Sequence, residues 1–261
     1  ATGPWTNTWA GLNEVTVPSN GQIVVSVPMF YRVRGIPPNI PNIPSGMALI
    51  PAGSFSMGDY VDGSTSTRPV HTVFVSAFYM DKTEVTKTKW AEVATWAAAN
   101  GYDISASSAS GKATNHPAYY VTWYECVKWC NARSQMEGLT PCYTVGGATY
   151  KSGDSAPDCN WTASGYRLPT EAEWEKAARG GYSGKRFPWG DTITHSQANY
   201  YSDASYAYDT SPTRGYHPDY DTGGYPYTSP VGAFAANGYG LYDSAGNVEE
   251  WCWDWYDSTY Y

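Results

Sequence analysis

The last third of this chain limits its fold more than any other feature, because it is dense in turn residues and aromatic residues and has no helical periodicity. After Tyr182, no run of apolar residues is spaced as on one face of a helix. The 261 residues include 26 Gly, 18 Pro, 24 Tyr and 12 Trp, but only 6 Phe. Gly and Pro favour turns, and aromatic side chains with a polar group suit half-buried positions and wet binding surfaces. We therefore predict many turns and little regular secondary structure.

Three threonines mark the expected starts of helices in the middle of the chain. Thr86 precedes a helical pattern, and Thr122 and Thr170 each open a capping box that is completed by Glu125 and Glu173. In a capping box the threonine hydroxyl accepts from a backbone N–H of the first turn while the glutamate reaches back to the threonine N–H. Glycine favours the left-handed conformation that commonly ends a helix. The predicted ends are Gly101, Gly138 and the pair Gly180 and Gly181.

Strands and a proline-rich segment are predicted before these helices. Residues 1–34 contain short β-branched and aromatic runs, which favour the terminal strands of a preceding β module. Residues 35–46 contain four prolines, which favour an extended linker. Two further runs, 47–58 and 70–80, are predicted to be strands of a domain that covers residues 47–261 and is incomplete at its C-terminus.

Composition restricts the partners of this chain. The net charge is −8 and no stretch is rich in Lys or Arg, which argues against binding to nucleic acids and anionic membranes. No apolar run approaches the about 20 residues of a membrane span, and no signal peptide precedes Ala1, which we interpret as a mature or trimmed start. An acidic surface is compatible with calcium but does not establish it.

Five cysteines are too few for a disulfide scaffold and lack the spacing of a zinc site. Cys142 and Cys159 flank a loop of Gly, Ser and Asp, for which we favour a closing disulfide over two unpaired buried thiols. The odd number leaves at least one thiol free or paired outside this sequence. The pairing of Cys126, Cys130 and Cys252 stays open, and the pattern favours an oxidising compartment.

An acidic turn near the C-terminus is the one motif with metal-ligand character. Asp243 and Glu250 flank a tight glycine turn whose backbone carbonyls lie between them, and calcium binds 6–8 such oxygens at about 2.3–2.6 Å. By spacing alone the turn is an ordinary β-turn, because most sequences of this kind bind nothing. The four histidines are scattered, and each is interpreted as structural.

Several blocks in the same order resemble the sulfatase-modifying-factor family, the family of the formylglycine-generating enzymes. The most specific strings are RLPTEAEW at residues 167–174 and GLYDSAGNVEEW at residues 240–251, and further blocks lie at 53–58, 68–71, 84–86, 116–123 and 187–191. The resemblance implies an α+β, C-type-lectin-like fold with little regular secondary structure, which agrees with the pattern of turns. Glu249 departs from the family, which usually has Trp at that position.

The resemblance also implies two calcium ions. One set of ligands corresponds to Asp243, the Gly246 carbonyl, the Val248 carbonyl and Glu250. The other corresponds to Asn199, the Tyr200 carbonyl, Asp221 and Tyr225, although extra residues separate Asp221 from Tyr225 here. We expect at least one bound calcium ion.

Two functions are compatible with the resemblance. The family's enzymes convert a sulfatase cysteine to formylglycine with oxygen and a Cu(I) ion held by two cysteines, and none of the five cysteines occupies those positions. Copper is therefore expected only if the chain continues past Tyr261 into the segment with that pair. Cys130 matches a position that forms a disulfide with a cysteine near the C-terminus of the family. We favour a non-catalytic, calcium-stabilised module of an exported or surface protein that binds a protein or carbohydrate ligand or self-assembles, over a formylglycine-generating oxidase.

Overall fold

The structure, a computed structural model, describes residues 43–59, 61 and 69–255. The predicted strands of residues 1–34 and the linker residues 35–42 lie outside the described residues. Four strands begin the described part: β1 (Met47–Ile50), β2 (Gly53–Met57), β3 (His71–Val75) and β4 (Phe78–Asp81). β1 pairs antiparallel with β4, and β2 pairs antiparallel with β3.

Each of the two long predicted strands is in fact split into two short ones with different partners. Pro51 lies at the first break, between β1 and β2, and a proline cannot donate to a strand ladder. The ammonium of Lys176 holds this junction, since its Nζ donates to the carbonyls of Pro51 at 2.6 Å and Gly53 at 2.9 Å. The continuous strands predicted at 47–58 and 70–80 are wrong in that respect.

The three predicted helices are confirmed, together with their caps. They are α1 (Lys87–Ala99), α2 (Trp123–Met136) and α3 (Glu171–Ala178). Thr86, Thr122 and Thr170 are the N-cap residues, and both capping boxes form with Glu125 and Glu173. The glycines that follow the helices have the positive φ expected of helix ends: 83° at Gly101, 74° at Gly138 and 58° at Gly180.

The main hydrophobic core lies between α1, α2 and a small antiparallel sheet. That sheet has the order β6-β5-β7, from β5 (Tyr143–Val145), β6 (Ala148–Thr149) and β7 (Asp158–Cys159). Trp90 of α1 stacks on Trp129 of α2 with ring centroids 5.7 Å apart. Asn131 of α2 is fully buried, its Nδ2 donates to the Tyr143 carbonyl, and its Oδ1 accepts from the Tyr143 N–H. These two bonds fix the sheet on the helix.

Residues 182–255 contain neither a helix nor a named strand, as the sequence predicts. Isolated backbone bridges, such as that between Ser202 and Gly215, and side-chain hydrogen bonds hold these loops. His217 bonds to the His195 carbonyl at 2.8 Å, and Asp209 accepts from the backbone N–H groups of Asp203 and Ser211. The fold is therefore mixed α and β with small sheets and little regular structure. Among the described residues, no helix is long and apolar enough to cross a membrane.

Candidate metal and binding cleft

One cleft of about 740 Å³ brings together six of the eight predicted ligand residues. Its walls are the N-terminal part of α3, the segment at Asn199 and the acidic turn, here called the 243–250 loop. The lining residues are Glu171, Trp174, Asn199, Tyr200, Tyr201, the eight residues 243–250, and Cys252. The whole of the first ligand set that the resemblance implies therefore shares one cleft with Asn199 and Tyr200 of the second set.

Asn247 fixes the 243–250 loop to the rest of the domain. Its backbone N–H donates to the Asn199 carbonyl at 2.8 Å, and its Oδ1 accepts from the Ser229 N–H at 2.9 Å. Its Nδ2 donates to Glu84 Oε2 at 3.2 Å, across 163 residues of sequence. Asn247 has a φ of 63°, a left-handed conformation that asparagine tolerates better than most residues. The side chain thus determines where the loop lies.

Gly246 allows the loop to approach the Asn199 segment. A Cβ at this position would lie 2.4 Å from the Asn199 carbonyl oxygen, far inside van der Waals contact, and φ is 90°. Only glycine satisfies both conditions. The neighbouring Asp243 also has a positive φ, of 54°. This backbone holds the two ends of the loop, Asp243 and Glu250, at the same cleft.

The carboxyl groups of Asp243 and Glu250 act electrostatically on the buried carboxyl group of Glu84. Burial is the main cause that raises the pKa of Glu84, to about 9, and the charges of Asp243 and Glu250 raise it further. Burial also raises the pKa of Asp243, although the Gly232 N–H, 2.5 Å from Oδ2, opposes that shift. Glu84 Oε1 and Asp243 Oδ1 are both enclosed and lack a hydrogen-bond partner. Such orphaned oxygens favour a cation or water at this place.

Glu250 lies where the cleft opens to solvent, and the indole Nε1 of Trp174 donates to its Oε2. Its side chain is accessible from the cleft while protein atoms crowd its other sides, so loss of hydration is the main cause that raises its pKa. The hydrogen bond from Trp174 lowers the pKa and so opposes the effect. A carboxylate in this position suits a ligand that enters from the cleft.

The second predicted ligand set is less well assembled. Asn199 Nδ2 donates to the Tyr227 carbonyl at 2.8 Å, and the Tyr200 carbonyl lies 3.2 Å from His195 Nε2. Asp221 and Tyr225 do not belong to the lining of the cleft, and Tyr225 is 72% exposed. This turn has extra residues between Asp221 and Tyr225, and the assignment of both as ligands stays a prediction.

The five cysteines are free thiols, and burial is the main cause that raises the pKa of each. The pKa rises to about 12 at Cys126 and about 11 at Cys159. Cys159 is paired with Tyr143 in the sheet, and Cys142 is opposite Asn160, whose N–H donates to the Cys142 carbonyl. Because side chains alternate across a strand, Cys159 shares a face with Tyr143 rather than with Cys142. The Cys142–Cys159 disulfide stays a prediction, and this register counts against it.

Sequence reasoning did not identify Glu84 and Asn247 as residues of the site. Both lie inside blocks that carry the family resemblance, EVT at residues 84–86 and GNV at residues 246–248. A glycine–asparagine pair at a tight turn was an available signal for Asn247, because both residues tolerate positive φ. The burial of Glu84 has no local signal in the sequence, since its hydrogen-bond partner Asn247 lies 163 residues away along the chain.

Comparison with known proteins places the chain in a family. A family model described as "Sulfatase-modifying factor enzyme 1-like domain" matches residues 35–261. The chain is 33% identical over 223 residues to "Chaperone protein LppX" of Paenibacillus barcinonensis, covering 80% of this chain and 71% of that protein. It is 33% identical over 250 residues to the formylglycine-generating enzyme of Streptomyces coelicolor, covering 85% of this chain and 72% of that enzyme.

The fold agrees with these relationships. The crystal structure of CarF is similar, with a TM-score of 0.60 and 28% identity, over 79% of this chain and 78% of that one. The matched family model spans the helices, the sheets and the cleft described above. The chain belongs to the sulfatase-modifying-factor family, whose members include the formylglycine-generating enzymes.

Proposed function

We propose that this chain is a calcium-stabilised, non-catalytic binding or assembly module of an exported or surface protein. The observation that carries this proposal is the group of carboxyl groups at the 243–250 loop, of which Glu84 and Asp243 each have an enclosed oxygen without a partner. Burial raises the pKa of all three groups, and the charge of Asp243 raises the pKa of Glu84 and of Glu250 further, so their ionised forms lose stability unless a cation or protons compensate them. Calcium supplies that compensation and binds oxygen ligands of this kind.

Asp243 and Glu250 would hold the ion, together with the carbonyls of Gly246 and Val248. Among the described residues, no three His, Cys, Asp or Glu side chains are grouped as a metal site. Such a group is not required here, because half of this ligand set consists of backbone carbonyls. Asp243 Oδ1, which lacks a hydrogen-bond partner, would bind the ion, and Glu84 would add a negative charge to the site. Calcium would then fix a loop that has no regular secondary structure.

The five cysteines of this sequence do not correspond to the copper-binding pair of the family's enzymes. Copper in this family's chemistry is bound by thiolates, and burial raises the pKa of all five thiols of this chain. These residues do not fit a copper site. The relative named "Chaperone protein LppX" is 33% identical to this chain. Not every relative of this chain therefore carries the name of the oxidase.

The calcium part of the proposal is tested by metal analysis and melting of the native protein. Calcium at about a hundred times its dissociation constant stabilises a protein by about 2.7 kcal/mol, which for a domain of this size corresponds to about 5–10 °C in Tm. We expect native mass spectrometry to detect calcium and EDTA to lower Tm by this amount. Asp243→Ala should abolish both effects, whereas Asp219→Ala, an exposed acidic residue away from the cleft, should leave them unchanged. The proposal is contradicted if native mass spectrometry finds no metal and EDTA leaves the Tm unchanged.

The alternative is a formylglycine-generating oxidase, which the 33% identity to the Streptomyces coelicolor enzyme favours. It is tested with the full natural protein, Cu(I) and a peptide that contains a sulfatase-type cysteine. Mass spectrometry of the peptide detects the loss of sulfur that accompanies conversion to formylglycine. Copper-dependent conversion of the peptide would establish that the protein is an oxidase. If the peptide stays unmodified, the binding module remains the proposed function.

A further inference from the structure

One asparagine on the surface lies in a sequence pattern for covalent modification. Asn160 is the one asparagine of this sequence that is followed two residues later by serine or threonine, in Asn160–Trp161–Thr162. Asn-x-Ser/Thr without a proline between is the acceptor pattern for N-linked glycans, and in exported proteins such acceptors lie in surface loops. The pattern is short, so the local structure decides whether Asn160 can act as an acceptor.

Asn160 begins an exposed turn directly after β7. The Ala163 N–H donates to the Asn160 carbonyl at 3.1 Å, which closes the turn, and the Asn160 N–H donates to the Cys142 carbonyl at 2.7 Å. Asp158, Asn160 and Thr162 are all exposed to solvent. β7 also ends the strand order β6-β5-β7, so one of its sides has no strand partner among the described residues. An enzyme can therefore approach this segment from its open side.

The carboxamide of Asn160 has a defined orientation. Its Oδ1 accepts from the Thr162 N–H at 3.1 Å and from the Thr162 hydroxyl at 2.8 Å, as in a turn that an asparagine side chain closes two residues on. Because a backbone N–H can only donate, the atom that it contacts is the oxygen, and the other atom of the carboxamide is Nδ2. None of the described residues accepts a hydrogen bond from this nitrogen. The nitrogen to which a glycan is attached is thus unpaired on an exposed residue.

An acidic residue precedes the asparagine by two positions. Asp158 extends the pattern to Asp-x-Asn-x-Thr, the form that bacterial oligosaccharyltransferases recognise, whereas the eukaryotic enzymes need only the asparagine and the hydroxyl residue. No described residue pairs with the Asp158 carboxylate. The carboxylate is therefore available to a basic group of such an enzyme.

We propose that Asn160 is a site of N-linked glycosylation, with Asp158 and Thr162 as the residues by which the enzyme recognises it. This rests on the proposed function, because the donor, an oligosaccharide on a polyprenyl diphosphate lipid, is used on exported proteins. A bond forms between Asn160 Nδ2 and the anomeric carbon of the first sugar, while the bond from that carbon to the diphosphate oxygen breaks. Nδ2 loses one proton, and the bonding electrons leave with the lipid diphosphate.

A glycan at this position would have a structural consequence for the sheet. The open side of β7 presents backbone groups that another strand could pair with, and natural proteins cover or interrupt such edges. A bulky, soluble oligosaccharide on the residue that follows β7 would block the approach of a second strand.

Mass spectrometry of the full natural protein, purified from its own host, tests the proposal. We expect an intact mass that exceeds the polypeptide mass by one oligosaccharide, and a fragment spectrum that places the oligosaccharide on Asn160. Asn160→Asp, expressed in the same host, should lose the whole excess mass. Its carboxylate keeps an acceptor for the Thr162 N–H, so the turn can still form. Thr162→Ala should also lose the glycan, whereas Thr162→Ser should retain it, because serine keeps the hydroxyl.

Two further variants complete the series. Asp158→Asn should lose most of the glycan, and unchanged glycosylation of this variant overturns the role given to Asp158. Asn100→Gln is the matched control, since Asn100 is exposed but lies outside the pattern, and it should keep the glycan.

An exported protein with an unmodified Asn160 overturns the proposal. An oligosaccharide that persists in Asn160→Asp also overturns it, because the sugar is then attached to another side chain. Cell fractionation and the calcium assay keep the two proposals apart. An exported protein that binds calcium but lacks the glycan refutes this inference alone, whereas a protein that stays in the cytoplasm refutes the proposed export and this inference with it.

Discussion

Replacement of Asn247 tests whether one amide holds the 243–250 loop in place. Asn247→Ala removes the acceptor of the Ser229 N–H and the donor to Glu84 Oε2. Each buried polar group that is left unpaired costs about 1–3 kcal/mol, so the two together cost about 2–6 kcal/mol. Alanine at a φ of 63° adds about 1 kcal/mol, because the left-handed conformation is unfavourable for it.

Asn247→Gly separates the side chain from the backbone. Glycine adopts positive φ without strain, although its freedom in the unfolded chain offsets part of that advantage by about 0.5–1 kcal/mol. Both variants lose the same hydrogen bonds. Urea unfolding followed by tryptophan fluorescence should therefore show a loss of at least about 2 kcal/mol in both, and calorimetry should show weaker calcium binding in both. A near-native Asn247→Gly with a modestly destabilised Asn247→Ala would refute the reasoning, because backbone strain alone would then explain the loss.

Three further predictions follow from single contacts. Gly246→Ala should lose about 3 kcal/mol or more in urea unfolding, since its Cβ would lie 2.4 Å from a backbone oxygen. Burial opposes ionisation of Asp209, but hydrogen bonds from Tyr200 and other groups outweigh burial and lower its pKa to about 2. Because its folded pKa lies below its unfolded value, ionised Asp209 contributes at most about 2 kcal/mol to the free energy of unfolding. This contribution is complete above about pH 4 and is lost as the pH falls to about 2. Melting curves should show that Asp209→Asn lacks this acid-dependent loss of stability. Lys176→Met should lower the free energy of unfolding by about 1–3 kcal/mol, because the charged hydrogen bonds from Lys176 to the partly buried carbonyls of Pro51 and Gly53 are lost.

The helices could be predicted from the sequence because their signals are local. A threonine followed three residues later by a glutamate determines where α2 and α3 begin, and a glycine with positive φ follows each of the three helices. The strands were predicted less well, since the break at Pro51 is local but the choice of partner is not. β1 pairs with β4 rather than with β2, the strand that follows it, and no local pattern in the sequence determines that choice.

The candidate site could be predicted in part. The resemblance named Asp243, Gly246, Val248 and Glu250, and the structure brings all four to one cleft with Asn199 and Tyr200. It did not name Glu84, because a carboxyl group between α1 and a strand gives no sign in the sequence that it is buried against a loop near the other end of the chain. Asp221 and Tyr225 do not line that cleft, and their role as ligands stays a prediction, because extra residues between them make the position of this turn hard to infer from the resemblance.

The absence of helices and strands over the described residues 182–255 has a consequence for binding. A loop that binds a ligand loses affinity if it must be ordered at the same time, at about 0.5–1.5 kcal/mol per immobilised side chain. Here, Asn247 and Asp209 hold these loops by accepting hydrogen bonds from backbone N–H groups, and the indole N–H groups of Trp123 and Trp251 donate to the carbonyls of Cys252 and Val121. Because these polar bonds are made within the domain, the loops keep one arrangement without a sheet beneath them. A ligand that enters the cleft is therefore spared the cost of ordering them.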